Sequence, residues 1–290
     1  MRKTTVLREL IKNEDIVVLP GVYDCLSAKL AEEAGFKAVL LTGAGISASL
    51  LGYPDFGLIS MSEVLNHTKN IVGSVNIPVF ADCDTGFGNP INVYRTIKEF
   101  ESAGVAGLFI EDQVFPKRCG HFNKKQVIPR EEMVKKIEAA LDARVDPDLV
   151  IMARIDARAV YGIEEAIERA NVYAQTGADM VFVEAPETLD ELRVIPKSVK
   201  APAMINLVEG GKTPLVSVAA LREMGFKFAS FSGSAQKTAM KAMRDLFATL
   251  KATGSLDNVL ENIVSLEDRS QLLNLKKFYE MEVKYGVREG

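Results

Sequence analysis

The stretch Phe100-Glu101-Ser102-Ala103-Gly104-Val105-Ala106-Gly107-Leu108-Phe109-Ile110-Glu111-Asp112 holds one complete period of the fold. A helix running up to Ala103 closes on Gly104, a residue that takes the left-handed conformation at little steric cost. The apolar run at 107–110 lacks the polar alternation of a half-exposed strand, so it reads as a strand covered on both faces. Two carboxylates end it. The same device, a small residue or Met plus Gly ahead of an apolar run, recurs at Ala34-Gly35 before 38–41, Thr176-Gly177 before 180–183 and Met224-Gly225 before 228–231. Further runs at 16–19, 78–81, 149–153 and 203–206 bring the predicted strands to eight.

Helical patterns at 25–34, 62–75, 90–103, 130–143, 163–175, 189–195, 217–224 and 235–251 alternate with these runs. Asn89-Pro90 and Pro129-Arg130-Glu131-Glu132 carry helix-start signals. Eight strands alternating with helices predict an α/β protein, a TIM-type (β/α)8 barrel, with an open doubly wound sheet as the alternative. No Pro/Gly/Ser-rich linker divides the chain. The predicted organisation is a catalytic barrel at 1–255 and a C-terminal helical extension at 256–290, for which a neighbouring subunit is a plausible resting place.

Composition agrees. The chain has 290 residues, 48% hydrophobic and 26% charged, with 35 basic against 39 acidic side chains and a net charge of −4. Those are globular proportions, and the acidic balance argues against nucleic acid as a partner. No run approaches the ~18 apolar residues of a membrane span, and three cysteines are too few and too odd for a secreted disulfide framework. A cytoplasmic location is expected.

In a barrel the chemistry gathers where strands end at their C-terminal side. Strand 2 is followed by Thr42-Gly43-Ala44-Gly45, and strand 3 by Asp82-Cys83-Asp84-Thr85-Gly86-Phe87-Gly88. Strand 4 ends in Glu111-Asp112, strand 5 in Arg154-Ile155-Asp156, strand 6 in Glu184 and strand 7 in Asn206. Asp82 and Asp84 can turn to one rim point, and with Glu111 they form a hard-oxygen set suited to Mg²⁺. Spacing alone leaves an acidic loop satisfied by amides and cations as the alternative. Gly86 and Gly88 without a following Lys-Ser/Thr are a weak phosphate-loop signal.

Lys117-Arg118-Cys119-Gly120-His121 places a thiol and an imidazole beside two cations. Its charged flanks argue against a thiol buried in an apolar core, and the cations are expected to lower its pKa from ~8.5 toward neutrality. Zinc fails on ligand count. His67, inside a predicted helix, reads as a structural histidine.

These motifs resemble the isocitrate lyase/phosphoenolpyruvate mutase superfamily: Leu19-Pro20-Gly21, 82–88, Ile110-Glu111-Asp112-Gln113, 117–121, 152–157 and Asn206-Leu207-Val208-Glu209-Gly210-Gly211. The likeness covers nearly the whole chain. It implies a Mg²⁺-dependent (Mn²⁺ as substitute) barrel enzyme, commonly a homotetramer that exchanges a C-terminal helix between subunits. By that resemblance Asp82, Asp84 and Glu111 (the last through water) hold the metal, and Cys119 occupies the place of the catalytic acid, with Arg154, Glu184 and His121 completing the catalytic set. Thr42, Gly43, Ala44, Gly120, Arg154, Glu184, Asn206, Leu207 and Val208 would bind a small hydroxy-dicarboxylate.

Having Cys-Gly-His where mutases carry Asn and Ser, the chain looks like a carbon–carbon lyase working by retro-aldol (Claisen-type) cleavage. Members acting on 2-methylisocitrate have a Thr at Val208, a Tyr at Leu40, and arginines near Lys237 and near Leu266, with Arg269 close by. Losing those polar contacts points to 2,3-dimethylmalate, cleaved to pyruvate and propionate. The alternatives are 2-methylisocitrate cleavage and a carboxyphosphonoenolpyruvate phosphonomutase-like or oxaloacetate-hydrolysing activity.

Overall fold

The computed structural model describes residues 1–287. Eight strands run β1 Val17–Val22, β2 Val39–Leu41, β3 Val79–Asp82, β4 Gly107–Glu111, β5 Val150–Ile155, β6 Met180–Val183, β7 Ala203–Asn206 and β8 Phe228–Phe231. All neighbours pair in parallel, and β1 pairs with β8 to close the barrel. The chain therefore has the expected TIM-type fold.

The repeat predicted from glycines is physically real. Gly35, Gly104, Gly177 and Gly225 stand at φ of 85°, 85°, 119° and 105°. After each, the next amide reaches back to a carbonyl one turn inside the helix: Phe36 to Ala31, Val105 to Phe100, Ala178 to Tyr173 and Phe226 to Leu221. That is the Schellman closure, which satisfies carbonyls a helix end would otherwise leave orphaned and turns the chain toward the sheet.

Two apolar layers follow from the closed sheet. Outward-facing residues such as Val39, Ala81, Leu108, Ile110, Ile151, Ala153 and Ile205 pack against the helices. Inward-facing Leu19, Leu40, Phe80, Phe109, Met152, Phe182, Met204 and Phe228 fill the barrel. Gly107 makes room in that filling, since a Cβ there would lie 2.4 Å from the Phe80 ring.

A helix at Lys3–Asn13, which the strand repeat does not demand, seals the N-terminal end: Leu7 is fully buried among the barrel-filling residues, with Leu10 and Ile11 partly so. Lys3 donates to the Val72 and Val75 carbonyls at the end of the helix Met61–Ser74, and Arg8 to those of Pro147, Asp148 and Leu149 just ahead of β5. No helix among the described residues is long and apolar enough to cross a membrane.

The chain divides into two compact units, one ending at Gln236 and one starting at Lys237, inside the helix Ser234–Thr253. The second unit carries Met240, Met243, Phe247 and Leu250 on one stripe, 43–62% exposed, followed by short helices Leu266–Leu272 and Leu275–Lys284. Ser265 caps the first of these two helices, and Asn274, left-handed at φ 56°, separates it from the second. Lys237, Leu266 and Arg269 lie in this unit.

Candidate active site

Asp82 ends β3 as a turn-former. Its Oδ1 accepts the Asp84 amide at 2.9 Å, the local bond that Asx turns make, and its Oδ2 accepts the Gly43 amide at 3.1 Å. The turn holds Asp84 at φ 47°, a left-handed value that Asp tolerates better than most residues. Asp84 Oδ1 lies 2.7 Å from Lys117 Nζ, which also meets Asp55 at 2.7 Å. All three groups are buried. Burial pushes the Asp84 carboxyl up to about 6, with Lys117 opposing and Asp82 and Asp55 adding to the rise.

Glu111 ends β4 fully buried. Among the described residues neither of its oxygens has a hydrogen-bond donor, although Arg154 Nε stands 3.2 Å from Oε2. Burial drives its carboxyl well above the usual range, against Arg154 and Lys117. A buried carboxylate left so short of partners is a group suited to a cation.

Arg154 is the hub. Its guanidinium lies 5.8 Å above the Phe109 ring and 5.4 Å above Phe182, so the aromatic barrel filling becomes the floor of a polar site. Its Nε donates to Asp156 Oδ2 at 2.9 Å, and Nη2 stands 3.5 Å from Glu184 Oε2. Asp156 is held below the usual carboxylate range: burial opposes this, but Arg154 and Lys125 outweigh it.

The segment at 113–128 crosses this floor as a stem and a tip. Gln113 and Val127 form an antiparallel bridge at its base, supported by the Val114 amide on the Gln126 carbonyl. At the tip, the Cys119 amide donates to the Asp55 carbonyl at 3.1 Å. Gly120 rests against Arg154 and Glu184 so closely that a Cβ would lie 2.5 Å from Arg154 Nη2 and 2.4 Å from Glu184 Cγ. His121 Nδ1 accepts the Lys212 amide at 3.2 Å, which assigns the ring proton to Nε2, 3.2 Å from Glu184 Oε1. Burial lowers the His121 pKa against the pull of Glu184, so the ring is neutral at pH 7.

The expected low thiol pKa is corrected here. Burial pushes the Cys119 thiol up, only partly offset by the His121 backbone bond. The cations that were to lower it are engaged elsewhere: Lys117 by Asp55 and Asp84, Arg118 over the Phe56 ring at 5.7 Å. The thiol thus keeps its proton.

Two amides expected to hold a substrate carboxylate are also committed within the protein. The Thr42 amide donates to the Val22 carbonyl and the Gly43 amide to Asp82, while Ala44 is exposed. Asn206 lies at the end of β7, its Oδ1 accepting from Ser230 Oγ at 2.9 Å. Val208 is half-buried beyond it, but the Leu207 side chain packs in the outer sheet–helix layer, and Leu40 lies inside the barrel. His67 is structural in placement, its Nε2 2.6 Å from the Tyr23 carbonyl. Asp55 and Lys125 are site residues that sequence reasoning missed; both partner groups far away along the chain.

With this geometry the chain's kinship becomes specific. The phosphoenolpyruvate phosphomutase family matches residues 7–251. The chain belongs to that family. Within the PEP mutase/isocitrate lyase superfamily it is 43% identical to a 2,3-dimethylmalate lyase of Eubacterium barkeri, over 99% of both chains. It is 44% identical to a 2-methylisocitrate lyase of Aeropyrum pernix, over 97% of this chain and 89% of that one. An oxaloacetate acetylhydrolase with bound 3,3-difluorooxalacetate superposes at TM-score 0.93 and 34% identity, covering 98% and 97%. A phosphonopyruvate hydrolase complex with oxalate and Mg²⁺ superposes at 0.89 and 31%, covering 98% and 99%. The family member described here is an enzyme related to carbon–carbon lyases.

The tightness at Gly120 carries its own test. Gly120→Ala is expected to displace the tip, lowering turnover by roughly tenfold or more, because small misplacements of reacting groups are costly. Steady-state kinetics together with the alkylation rate of Cys119 measure it. Unchanged values for both would mean the segment does not work in this closed arrangement.

Proposed function

We propose that this enzyme cleaves the carbon–carbon bond of a 2-hydroxy dicarboxylate, 2,3-dimethylmalate, to pyruvate and propionate. The observation that carries the reading is the placement of the Cys-Gly-His tip on Arg154 and Glu184, above a rim bearing Asp82, Asp84 and Glu111.

The donor set fits Mg²⁺. It is all oxygen, and among the described residues Glu111 is buried without hydrogen-bond donors; Mg²⁺ takes hard oxygen ligands and keeps several of its waters. Asp82 and Asp84 would hold it, with Glu111 acting through water. Bound there, Mg²⁺ supplies Lewis acidity that eases loss of the substrate hydroxyl proton.

The residues do the rest. Arg154 and the Asn206 amide anchor carboxylate oxygens and steady the negative charge that grows as the bond breaks. The electron pair of the broken bond stays on the departing propionyl carbon, and the hydroxyl carbon becomes the ketone of pyruvate. Cys119, half-buried and with its pKa raised so that the thiol keeps its proton, delivers it to the departing propionyl carbon. The hydroxyl proton leaves to solvent and a proton from solvent restores the Cys119 thiol, so the two fragments together carry the atoms of the substrate and no electron is gained or lost. Glu184 and neutral His121 fix the tip in place during this exchange.

Val208, half-buried beyond Asn206 and apolar where the resemblance gives 2-methylisocitrate-cleaving members a hydroxyl, favours the smaller, methylated diacid. The expected result is pyruvate release from 2,3-dimethylmalate with a kcat/KM roughly tenfold or more above that for 2-methylisocitrate. Equal turnover of both would defeat the pocket argument, and acetate plus oxalate from oxaloacetate would replace it with a hydrolase. We also take the working form to be a homotetramer. The exposed stripe Met240, Met243, Phe247 and Leu250 supports this, being the kind of face that a second copy covers.

A further inference from the structure

We propose that Lys125 is a positioning residue: its ion pair with Asp156 couples closure of the 113–128 segment to the setting of Arg154. This rests on the lyase reading only in assigning Arg154 to the substrate.

The segment is tied down on both sides of its thiol. On the outgoing limb Lys117 is held by Asp55 and Asp84. On the returning limb Lys125 Nζ lies 2.6 Å from Asp156 Oδ1, with both side chains 0% exposed. The second tie differs in kind, because its partner also shapes the hub. Asp156 takes Arg154 Nε on Oδ2 at 2.9 Å and Arg154 Nη2 on Oδ1 at 3.3 Å. Lys125 and Nη2 therefore share one oxygen.

Around the Arg154 guanidinium lie three buried carboxylates, Asp156, Glu111 and Glu184, and Lys125 is the second buried cation on Asp156. With Lys125 in place, Asp156 has a cation of its own, and Arg154 can serve Glu111 and Glu184 as well. Without it, Arg154 is left to neutralise Asp156 while also facing Glu111 and Glu184, in a site with little solvent to screen them. The guanidinium is then drawn to Asp156, its closest partner, and away from the substrate side. The lost tie also frees the limb that holds Gly120 against Arg154. Lifting the segment and misplacing Arg154 become one event.

Lys125→Met in the full chain removes the charge while keeping much of the stem. Without substrate, iodoacetamide should modify Cys119 about tenfold faster than in the wild type, read by peptide mass spectrometry so that Cys25 and Cys83 are counted separately. With substrate, kcat should fall about thirtyfold or more, with a smaller change in KM. Lys125→Arg should restore both values toward wild type. Wild-type alkylation of Lys125→Met, or failure of Lys125→Arg to rescue, overturns the proposal. If Lys125→Met does not fold by circular dichroism, Lys125→Gln takes its place in the same comparison. Should the wild type cleave no hydroxy acid, the lyase reading fails, while the alkylation rates still decide the role of Lys125.

Discussion

Cys119→Ser is expected to lower kcat by roughly 10²–10⁴-fold, the range over which a positioned proton donor contributes. Serine keeps the size and much of the polarity of the position, so the Cys119 amide bond to Asp55 and the seat of Gly120 on Arg154 and Glu184 should survive. What it loses is acidity. Even a thiol pushed up by burial gives its proton more readily than an alcohol, and the proposed cleavage needs a proton delivered to the departing carbon. Substrate binding, measured by calorimetry or by KM under conditions of slow chemistry, should change little. Substantial residual turnover would show that another group supplies the proton and would sink the assignment of Cys119 as the acid.

Asp84→Ala is expected to abolish Mg²⁺-dependent turnover, by roughly 10³-fold or more, as befits several kcal/mol of charge stabilisation lost. Chelator treatment of the wild type should match it, with activity returning on Mg²⁺ addition. The substitution leaves Lys117 paired to Asp55, so the loop anchor persists. The decisive measurement is a Mg²⁺ titration of activity on both proteins. Undiminished turnover, or an unchanged half-saturating Mg²⁺ concentration, would reject Asp84 as a ligand.

The barrel and the rim carboxylates were legible because each rests on a local device. Gly104 marks a helix end through a conformation that few other residues share, and Glu111 announces itself by ending an apolar run. The expectation for the Cys119 thiol failed for a different reason. Charge is visible in a sequence, but burial is not, and Lys117 gave its charge to Asp55 and Asp84 instead. The Lys125–Asp156 pair was equally hidden, since no local pattern joins a lysine to an aspartate 31 residues on. The helix Lys3–Asn13 has the right spacing in Leu7, Leu10 and Ile11, yet a repeat of strands and helices gives no reason to expect a stopper below the first strand.

That stopper governs traffic. With the lower end shut by Leu7 and its neighbours, the barrel is a blind cul-de-sac rather than a conduit. On the proposed cleavage, reactant and both fragments would share one doorway at the opposite rim, beside the 113–128 segment.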